Sequence, residues 1–104
     1  MRPIRLARLD KTRPVVVLTR ARANAVVSKV TVAPITSTIR GLSTEVPVGP
    51  RNGLDHDGVV SCDNIATIPS GQLGRPVGFL FENQEAVLAQ AIVNAFDLRI
   101  EDLP

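Results

Sequence analysis

The chain contains very few aromatic residues. Three phenylalanines (Phe79, Phe81 and Phe96) make up 3% of the 104 residues, and tryptophan and tyrosine are absent. Hydrophobic residues are nevertheless 44% of the chain, and a domain of this length buries a sizeable core. That core must therefore be aliphatic. The scarcity of rings also argues against binding single-stranded nucleic acid through rows of stacked aromatic side chains.

Cysteine and histidine each occur once, as Cys62 and His56. A single cysteine excludes an intrachain disulfide. One cysteine and one histidine are also too few to form the usual zinc-ligand spacings. Asp55 and Asp57 flank His56, but three successive side chains rarely point to one centre, so we expect a solvated loop there. Cys62 ends an apolar run, which indicates a buried thiol, and no base that would make it catalytic is evident. The sequence predicts no metal site and no cofactor.

Long hydrophobic runs are also missing. No stretch of 18 apolar residues occurs, so no membrane span is expected. Basic residues at positions 2, 5, 8 and 11 interrupt any apolar segment near the N-terminus, so no secretory signal is expected. Together with the lone cysteine, this favours a cytoplasmic protein.

Acidic residues are almost absent from the first part of the chain. Residues 1–40 contain nine lysines and arginines and one acid, Asp10, whereas residues 41–104 contain three arginines and nine acids. The basic part is a candidate footprint for an anionic partner, nucleic acid first. The alternative is that its charges pair with the acidic part in the folded protein.

Alternating or β-branched apolar runs predict several short strands. They cover residues 3–10, 13–19, 28–39, 41–49 and 59–68, and the last is broken near Asp63 and Asn64. The triple valine after Pro14 is typical of a central strand, and Pro14, without an N–H donor, is expected at its first position. Pro34 requires an edge or a bulge. Residues 20–28 read as a loop or one helical turn.

The end of the chain predicts one amphipathic helix over residues 82–98. Its apolar stripe consists of Leu88, Ala91, Ile92, Ala95 and Phe96. Asn83 is a candidate N-cap, and Glu85 then lies in the first turn, where the helix dipole favours an acid. Residues 69–76 read as a turn region with a short helix at Ser70–Leu73. We therefore predict one domain over residues 1–104: a small curled antiparallel sheet or barrel with the helix packed on it.

Two polar features stand at the ends of buried strands. Arg13 precedes the triple valine, and Thr36, Ser37 and Thr38 end an apolar run. Either feature alone is typical of a protein surface. Together they suggest a phosphate site, because arginine supplies charge and a two-pronged donor while hydroxyls supply further hydrogen bonds.

Four segments in register carry a family resemblance. "TRPVVVLTR", "VTVAPITSTIRGLSTEVPV", "GLDHDGVVSCDNIATIPSGQLGR" and the terminal amphipathic helix resemble the MazF/PemK family of toxin endoribonucleases, most of all the short MazF-type toxins of mycobacteria and related actinobacteria. The resemblance implies an SH3-like small barrel, shared with Kid and CcdB, that works as a homodimer. It implies metal-independent cleavage of single-stranded RNA, leaving 2′,3′-cyclic phosphate and 5′-hydroxyl ends. It also implies growth arrest through blocked translation, and inhibition by a cognate MazE-like antitoxin.

The resemblance also implies roles for particular residues. The family's catalytic arginine opens the "RPVVV" strand and matches Arg13, and its catalytic threonine ends the "APIT" strand and matches Thr36. The residues expected to contact RNA are Arg5, Lys11, Ser37, Thr38, Arg40, Asp63 and Asn64. The Asp63–Asn64 pair has an equally simple structural interpretation as turn-forming residues.

The chain departs from the family pattern in three places. "MRPIRLARLD" lacks the glycine and aromatic residue of the usual opening, the first loop is only "DKT", and Ala66 stands where many members have arginine. The short loop and Ala66 keep open the alternative of an inactive RNA-binding module. A separate alternative is a non-enzymatic toxin on the same fold, such as the gyrase inhibitor CcdB. Such an inhibitor needs no pair like Arg13 and Thr36, and the C-terminal tryptophan of CcdB-like chains is missing.

Overall fold

The computed structural model describes residues 1–21, 27–99 and 101. Within these residues the chain forms seven strands and one α-helix: β1 (Arg2–Arg8), β2 (Thr12–Val17), β3 (Lys29–Thr36), β4 (Glu45–Val48), β5 (Gly58–Ser61), β6 (Ala66–Pro69), β7 (Leu73–Leu80) and α1 (Glu82–Phe96). Short 3-10 turns occupy Pro50–Asn52, Cys62–Asn64 and Ser70–Gln72. The predicted break near Asp63 and Asn64 is confirmed, since the turn there separates β5 from β6. Among the described residues, no helix has the length and apolar character needed to cross a membrane.

The strands form one antiparallel sheet in the order β4-β5-β3-β2-β1-β7, and β6 pairs with the other part of β3. The sheet curls into a half-barrel, and α1 packs against β4. The predicted fold class, mainly β with a C-terminal helix, is confirmed. The prediction that the triple-valine strand is central is also confirmed, because β2 lies between β1 and β3.

Both faces of β2 are buried, which explains its unbroken apolar sequence. Val16 belongs to the larger core, formed by β1, β3, β4, β5, β7 and the inner side of α1. Its neighbour Val15 points the opposite way, into a smaller core with Ala7, Val32 and Ile68. Aliphatic side chains fill both cores, as the lack of aromatic residues predicts.

Pro14 and Pro34, the two prolines considered in the sequence, lie where the sheet has no ladder hydrogen bond for them to break. Pro14 is the third residue of β2, not the first as predicted; it is opposite Leu6 of β1, and pairing with β3 begins only at Val15. Pro34 pairs with β2 on one side, while on its other side β3 changes partner from β6 to β5. Pro34 therefore has a local edge inside a central strand.

Strand β7 was not predicted, and the expected turn region 69–76 ends at Gln72. Two glycines and a proline interrupt the apolar pattern of β7. Gly78 is required by close packing: a Cβ there would lie 1.8 Å from the carbonyl oxygen of Asn52. Gly53, in the turn, has a φ of 91°, and a Cβ there would lie 2.0 Å from the carbonyl oxygen of Val77 in β7. The turn at Pro50–Asn52 is thus pressed directly against β7.

The helix begins one residue earlier than its predicted cap. Phe81 is the N-cap residue, so the assignment of Asn83 as N-cap is wrong, whereas Glu85 lies in the first turn as predicted. The side chain of Gln84 accepts a hydrogen bond from the Phe81 N–H (2.9 Å) and exchanges bonds with buried Asn52. The Gln84 amide thus satisfies the N–H of the N-cap residue itself, and among the described residues no side chain caps the first turn.

The apolar stripe of α1 is only partly buried. Leu88 and Ala91 lie in the core, Ile92 and Ala95 pack at its margin, but Phe96 is 56% exposed. The predicted loop or helical turn over residues 20–28 falls mainly on residues 22–26, which lie outside the described residues.

Candidate active site

Strand pairing brings Arg13 and Thr36 to the same face of the sheet. Val15 of β2 is paired with Pro34 of β3, and directly paired residues share a face. Arg13 precedes Val15 by two positions, and Thr36 follows Pro34 by two. Because side chains alternate along a strand, both point to the face of Val15, two residues beyond the pair of Val15 and Pro34. The smaller core lies under this face, and the polar pair continues it at its open end.

A cavity of about 520 Å³ opens at this end of the sheet. Of the residues predicted from the sequence, it is lined by Arg13, Thr36, Thr38, Arg40, Asp63 and Asn64. We call it the first cavity. Strands β2 and β3, the loop after β3, and the turn between β5 and β6 all contribute to it.

A second cavity, of about 440 Å³, adjoins the first. Lys11 and Ser37 line it, together with His56. Arg13, Thr36 and Thr38 line both cavities, so they stand between the two. Arg5 lines neither; its Nε donates to the Gly74 carbonyl at 2.8 Å, on the side of the sheet toward β7.

Arg13 is held by Asp10 in a two-pronged ion pair. Nε donates to Asp10 Oδ1 at 3.1 Å and an Nη donates to Oδ2 at 2.9 Å. The Arg13 side chain is 23% exposed and that of Asp10 is 69% exposed. The hydrogen bond from Arg13 is the main cause that lowers the pKa of Asp10 below its usual value. Since a guanidinium has about five N–H donors, part of the fork remains for an anion.

Thr36 closes a small turn with its own hydroxyl. Its Oγ1 accepts the backbone N–H of Thr38 at 3.2 Å. This bond uses an oxygen lone pair, so the hydroxyl hydrogen is not consumed by it and remains able to donate to a ligand. The turn also draws Thr38 back toward the cavity wall.

Asp63 and Asn64 are both turn-forming and cavity-lining, so the two interpretations of this pair do not exclude each other. Asp63 Oδ2 accepts the Thr44 hydroxyl at 2.6 Å, and Asn64 Nδ2 donates to Ser61 Oγ at 2.8 Å. The remaining polar positions of the Asn64 amide are those that could contact a base edge.

The single cysteine is buried, whereas the single histidine lines the second cavity. Cys62 is buried beside the first cavity, and burial, assisted by the Asp63 carboxylate, raises the pKa of its thiol to about 11. A protonated, inaccessible thiol is a poor nucleophile. His56 lines the second cavity with Asp55 and Asp57, but within the described part of the chain no three acidic, histidine or cysteine residues are grouped to hold a metal ion.

Comparison with known proteins places the chain in a family. The model of the PemK-like, MazF-like toxin of type II toxin–antitoxin systems matches residues 3–96. The chain belongs to this family. It is 59% identical over 98 residues to the Endoribonuclease MazF3 of two Mycobacterium tuberculosis strains, covering 94% of this chain and 95% of theirs.

Solved structures agree with this assignment. The Mycobacterium tuberculosis toxin MazF-mt6 superposes with a TM-score of 0.92 at 57% identity, covering 94% of this chain and 99% of that one. A mycobacterial endoribonuclease in complex with its cognate antitoxin gives a TM-score of 0.84 at 24% identity, covering 94% of each chain. At that identity the second match concerns the fold alone.

In this MazF-type chain, the first cavity carries charges of both signs. Ala66 lines the cavity and supplies no charge. Arg13 and Arg40 are therefore its cations, opposed by three acids (Asp10, Glu45 and Asp63).

Sequence reasoning missed Asp10 and Glu45 as parts of this site. Asp10 lies three residues before Arg13, a spacing that is compatible with an ion pair in a tight turn. Glu45 lies at the start of β4, opposite Ser61 of β5, and register places both on the face of Thr36. An acid repels a phosphate, so nothing in the sequence pointed to Asp10 or Glu45 at an anion site.

Proposed function

We propose that this chain is the toxin of a type II toxin–antitoxin system and that it cleaves single-stranded RNA without a metal ion. The observation that carries the proposal is the position of Arg13 and Thr36 between two adjoining cavities. An extended strand that crosses from one cavity to the other passes over both side chains. Membership of the MazF family and 59% identity to proteins named endoribonucleases support the same activity.

RNA carries its own nucleophile, which fits a site built from these residue types. The ribose 2′-oxygen attacks the adjacent phosphorus and loses its proton, while the bond to the 5′-oxygen breaks and that oxygen gains a proton. The products are a 2′,3′-cyclic phosphate and a free 5′-hydroxyl. Negative charge grows on the phosphoryl oxygens during this step, so donors aimed at them lower the barrier.

We propose that Arg13 and Thr36 stabilise this growing negative charge. Because a guanidinium is not readily deprotonated in a protein, Arg13 acts by charge and hydrogen bonding at the phosphoryl oxygens. The Thr36 hydroxyl adds a neutral donor from the neighbouring strand. Asp10 is a positioning residue, because its two hydrogen bonds fix the plane of the Arg13 guanidinium.

Of the other predicted contacts, all but Arg5 line one or both of these cavities. Lys11 and Ser37 are placed to hold nucleotides in the second cavity, and Arg40 and Asn64 in the first. Among the described residues, no phenylalanine lines either cavity and His56 is the single ring, so bases are held mainly by hydrogen bonds and charge. Asn64 is the candidate for reading a base edge.

The family assignment supports further proposals about partners. We propose a cognate MazE-like antitoxin that blocks the cavities, and a homodimer as the active form. Cleavage of RNA needed for translation would arrest growth. We also propose a cytoplasmic location, where an RNA target and an antitoxin would meet the protein.

The experiment that tests this proposal is digestion of long single-stranded RNA in EDTA, followed by mapping of the product ends. We expect cuts at a short recurring motif with cyclic phosphate and 5′-hydroxyl ends. A matched substrate with 2′-deoxyribose at the mapped position should remain intact, since the nucleophile is missing.

Loss of cutting in EDTA, or ends that carry a 5′-phosphate, would contradict the proposed chemistry. No cutting by a folded protein that still binds RNA would favour the RNA-binding module. No cutting and no RNA binding would favour a CcdB-like inhibitor.

A further inference from the structure

The loop between β3 and β4 (residues 37–44, the β3–β4 loop) forms one wall of the first cavity. It contributes Thr38, Arg40 and Leu42 to the lining. Arg40 and Leu42 belong to neither strand, so their position depends on what holds the loop. Gly41, between them, has a φ of 75°, and among the described residues no atom beyond its chain neighbours lies within 4 Å of a Cβ placed there.

A single carboxylate oxygen holds this part of the loop. Glu45 Oε1 accepts the backbone N–H groups of Arg40 (3.2 Å), Gly41 (2.9 Å) and Leu42 (3.1 Å). Successive N–H groups that converge in this way form a concave anion site, and such bonds to a charged acceptor are stronger than neutral ones. The chain supplies the anion itself, from the first residue of β4.

The far end of the loop is held by other groups. Asn94 of α1 donates to the Ser43 carbonyl at 3.0 Å, and the Thr44 hydroxyl donates to Asp63 at 2.6 Å. The Thr44 carbonyl also accepts the Cys62 N–H at 3.0 Å. Among the described contacts, the three N–H groups nearer the cavity bond to the Glu45 carboxylate, and the Glu45 backbone N–H adds one bond to the Leu42 carbonyl at 3.1 Å. Glu45 is itself anchored, since its strand pairs with β5 at Ser61.

We infer that Glu45 is a positioning residue for RNA binding, an inference that rests on the proposed endoribonuclease activity. Its carboxylate fixes the backbone of residues 40–42 and so aims Arg40 into the first cavity. The three N–H donors also offset the negative charge of Glu45, which allows an acid to stand in a cavity for a polyanion. Glu45 does not touch the reacting atoms and acts through the loop.

The test compares Glu45→Ala and Glu45→Gln with the wild type, using a short RNA that contains the mapped cleavage motif. Glu45→Ala should raise KM about tenfold and leave kcat within about threefold, because binding is weakened but Arg13 and Thr36 are untouched. Glu45→Gln keeps an oxygen acceptor without the charge, so its KM should lie between the two. Glu82→Ala, an exposed acid in the first turn of α1, is the matched control and should leave KM unchanged.

Amide hydrogen exchange supplies a readout that does not depend on cleavage. Exchange at Arg40, Gly41 and Leu42 should be faster in Glu45→Ala, with partial protection restored in Glu45→Gln. Exchange in the core strands should be unchanged, which shows that the variant is folded.

An unchanged KM in Glu45→Ala would overturn the inference, as would a loss confined to kcat, which would place Glu45 in the chemical step. If the wild-type protein cleaves no RNA, the proposed function fails, and the exchange comparison still decides whether Glu45 orders the loop. Unchanged exchange at residues 40–42 would then overturn the inference by itself.

Discussion

At the scale of single residues, the defining feature is a cation held by an acid at the edge of a binding cavity. The pair between Arg13 and Asp10 keeps the guanidinium in one orientation, with its remaining donors available. A pair this exposed contributes little to stability. Its value is geometric, because an arginine already aimed at the phosphate loses less side-chain freedom when RNA binds.

This pairing predicts a measurable titration. Because the pKa of Asp10 is lowered in the folded protein, its pairing is fully present above the usual carboxyl value of 3.8 and is lost as pH falls through the lowered value. A carboxyl NMR titration should give Asp10 a midpoint below 3.8. In Arg13→Ala the midpoint should return toward 3.8, while Arg75→Ala, which removes an exposed arginine on β7, should not move it. Equal midpoints in Arg13→Ala and wild type would refute the pairing in solution.

The hydroxyl of Thr36 allows a second residue-scale prediction. Thr36→Ala should lower the rate of RNA cleavage by about two to three powers of ten, the size typical of losing one donor to a transition state. Thr67→Ala, which removes an exposed hydroxyl that bonds only to Thr31 in the described contacts, is the control and should cut at the wild-type rate. An unchanged rate in Thr36→Ala would show that the hydroxyl has only a structural role, through its hydrogen bond with the Thr38 N–H.

Part of the site could be predicted from the sequence because strand alternation and the family motifs both select Arg13 and Thr36. Asp10 could not, because whether an acid in a turn folds back on an arginine depends on the turn geometry. Arg5 was selected for its charge and stays a predicted RNA contact. The bond from its Nε to the Gly74 carbonyl could not be foreseen, because β7 was absent from the sequence prediction.

At the scale of secondary structure, the elements that could be predicted are those whose own residues carry the pattern. The triple valine gives β2 its two buried faces, and helical spacing gives α1 its stripe. Strand β7 has no such pattern, because Gly74, Pro76 and Gly78 interrupt it. Gly78 is there because of a partner 26 positions away in the chain, the carbonyl of Asn52. A contact of this kind leaves no periodic signal in the sequence.

The contact between Gly78 and the Asn52 carbonyl predicts that alanine substitution destabilises the protein at Gly78 but not at Gly71. Gly78→Ala should lower the free energy of unfolding by about 1–3 kcal/mol or more, since its Cβ would overlap the backbone of the turn. Gly71→Ala should have little effect, because nothing lies within 4 Å of its Cβ. Urea denaturation of both variants measures the difference. Equal midpoints for the two would show that β7 and the turn are not in close contact.

At the scale of the whole molecule, the core is small and much apolar surface remains outside it. Phe79, Val87 and Phe96 are 48%, 46% and 56% exposed, although an aliphatic core of this size would benefit from covering them. Pairing of two chains would add buried area to a protein that lacks large rings. We therefore expect a homodimer at micromolar concentration. Analytical ultracentrifugation should give twice the chain mass of 11.2 kDa, and a monomer at that concentration would contradict the expectation.

We propose that the site between the two cavities, with Arg13 at its centre, cleaves RNA. The most direct measurement compares wild type, Arg13→Ala and Arg75→Ala on the same single-stranded RNA in EDTA, with urea midpoints to show that all three are folded. We predict identical cuts from wild type and Arg75→Ala, and none from Arg13→Ala. Cutting by Arg13→Ala at the wild-type rate and with the same ends would place the chemistry elsewhere and contradict the claim.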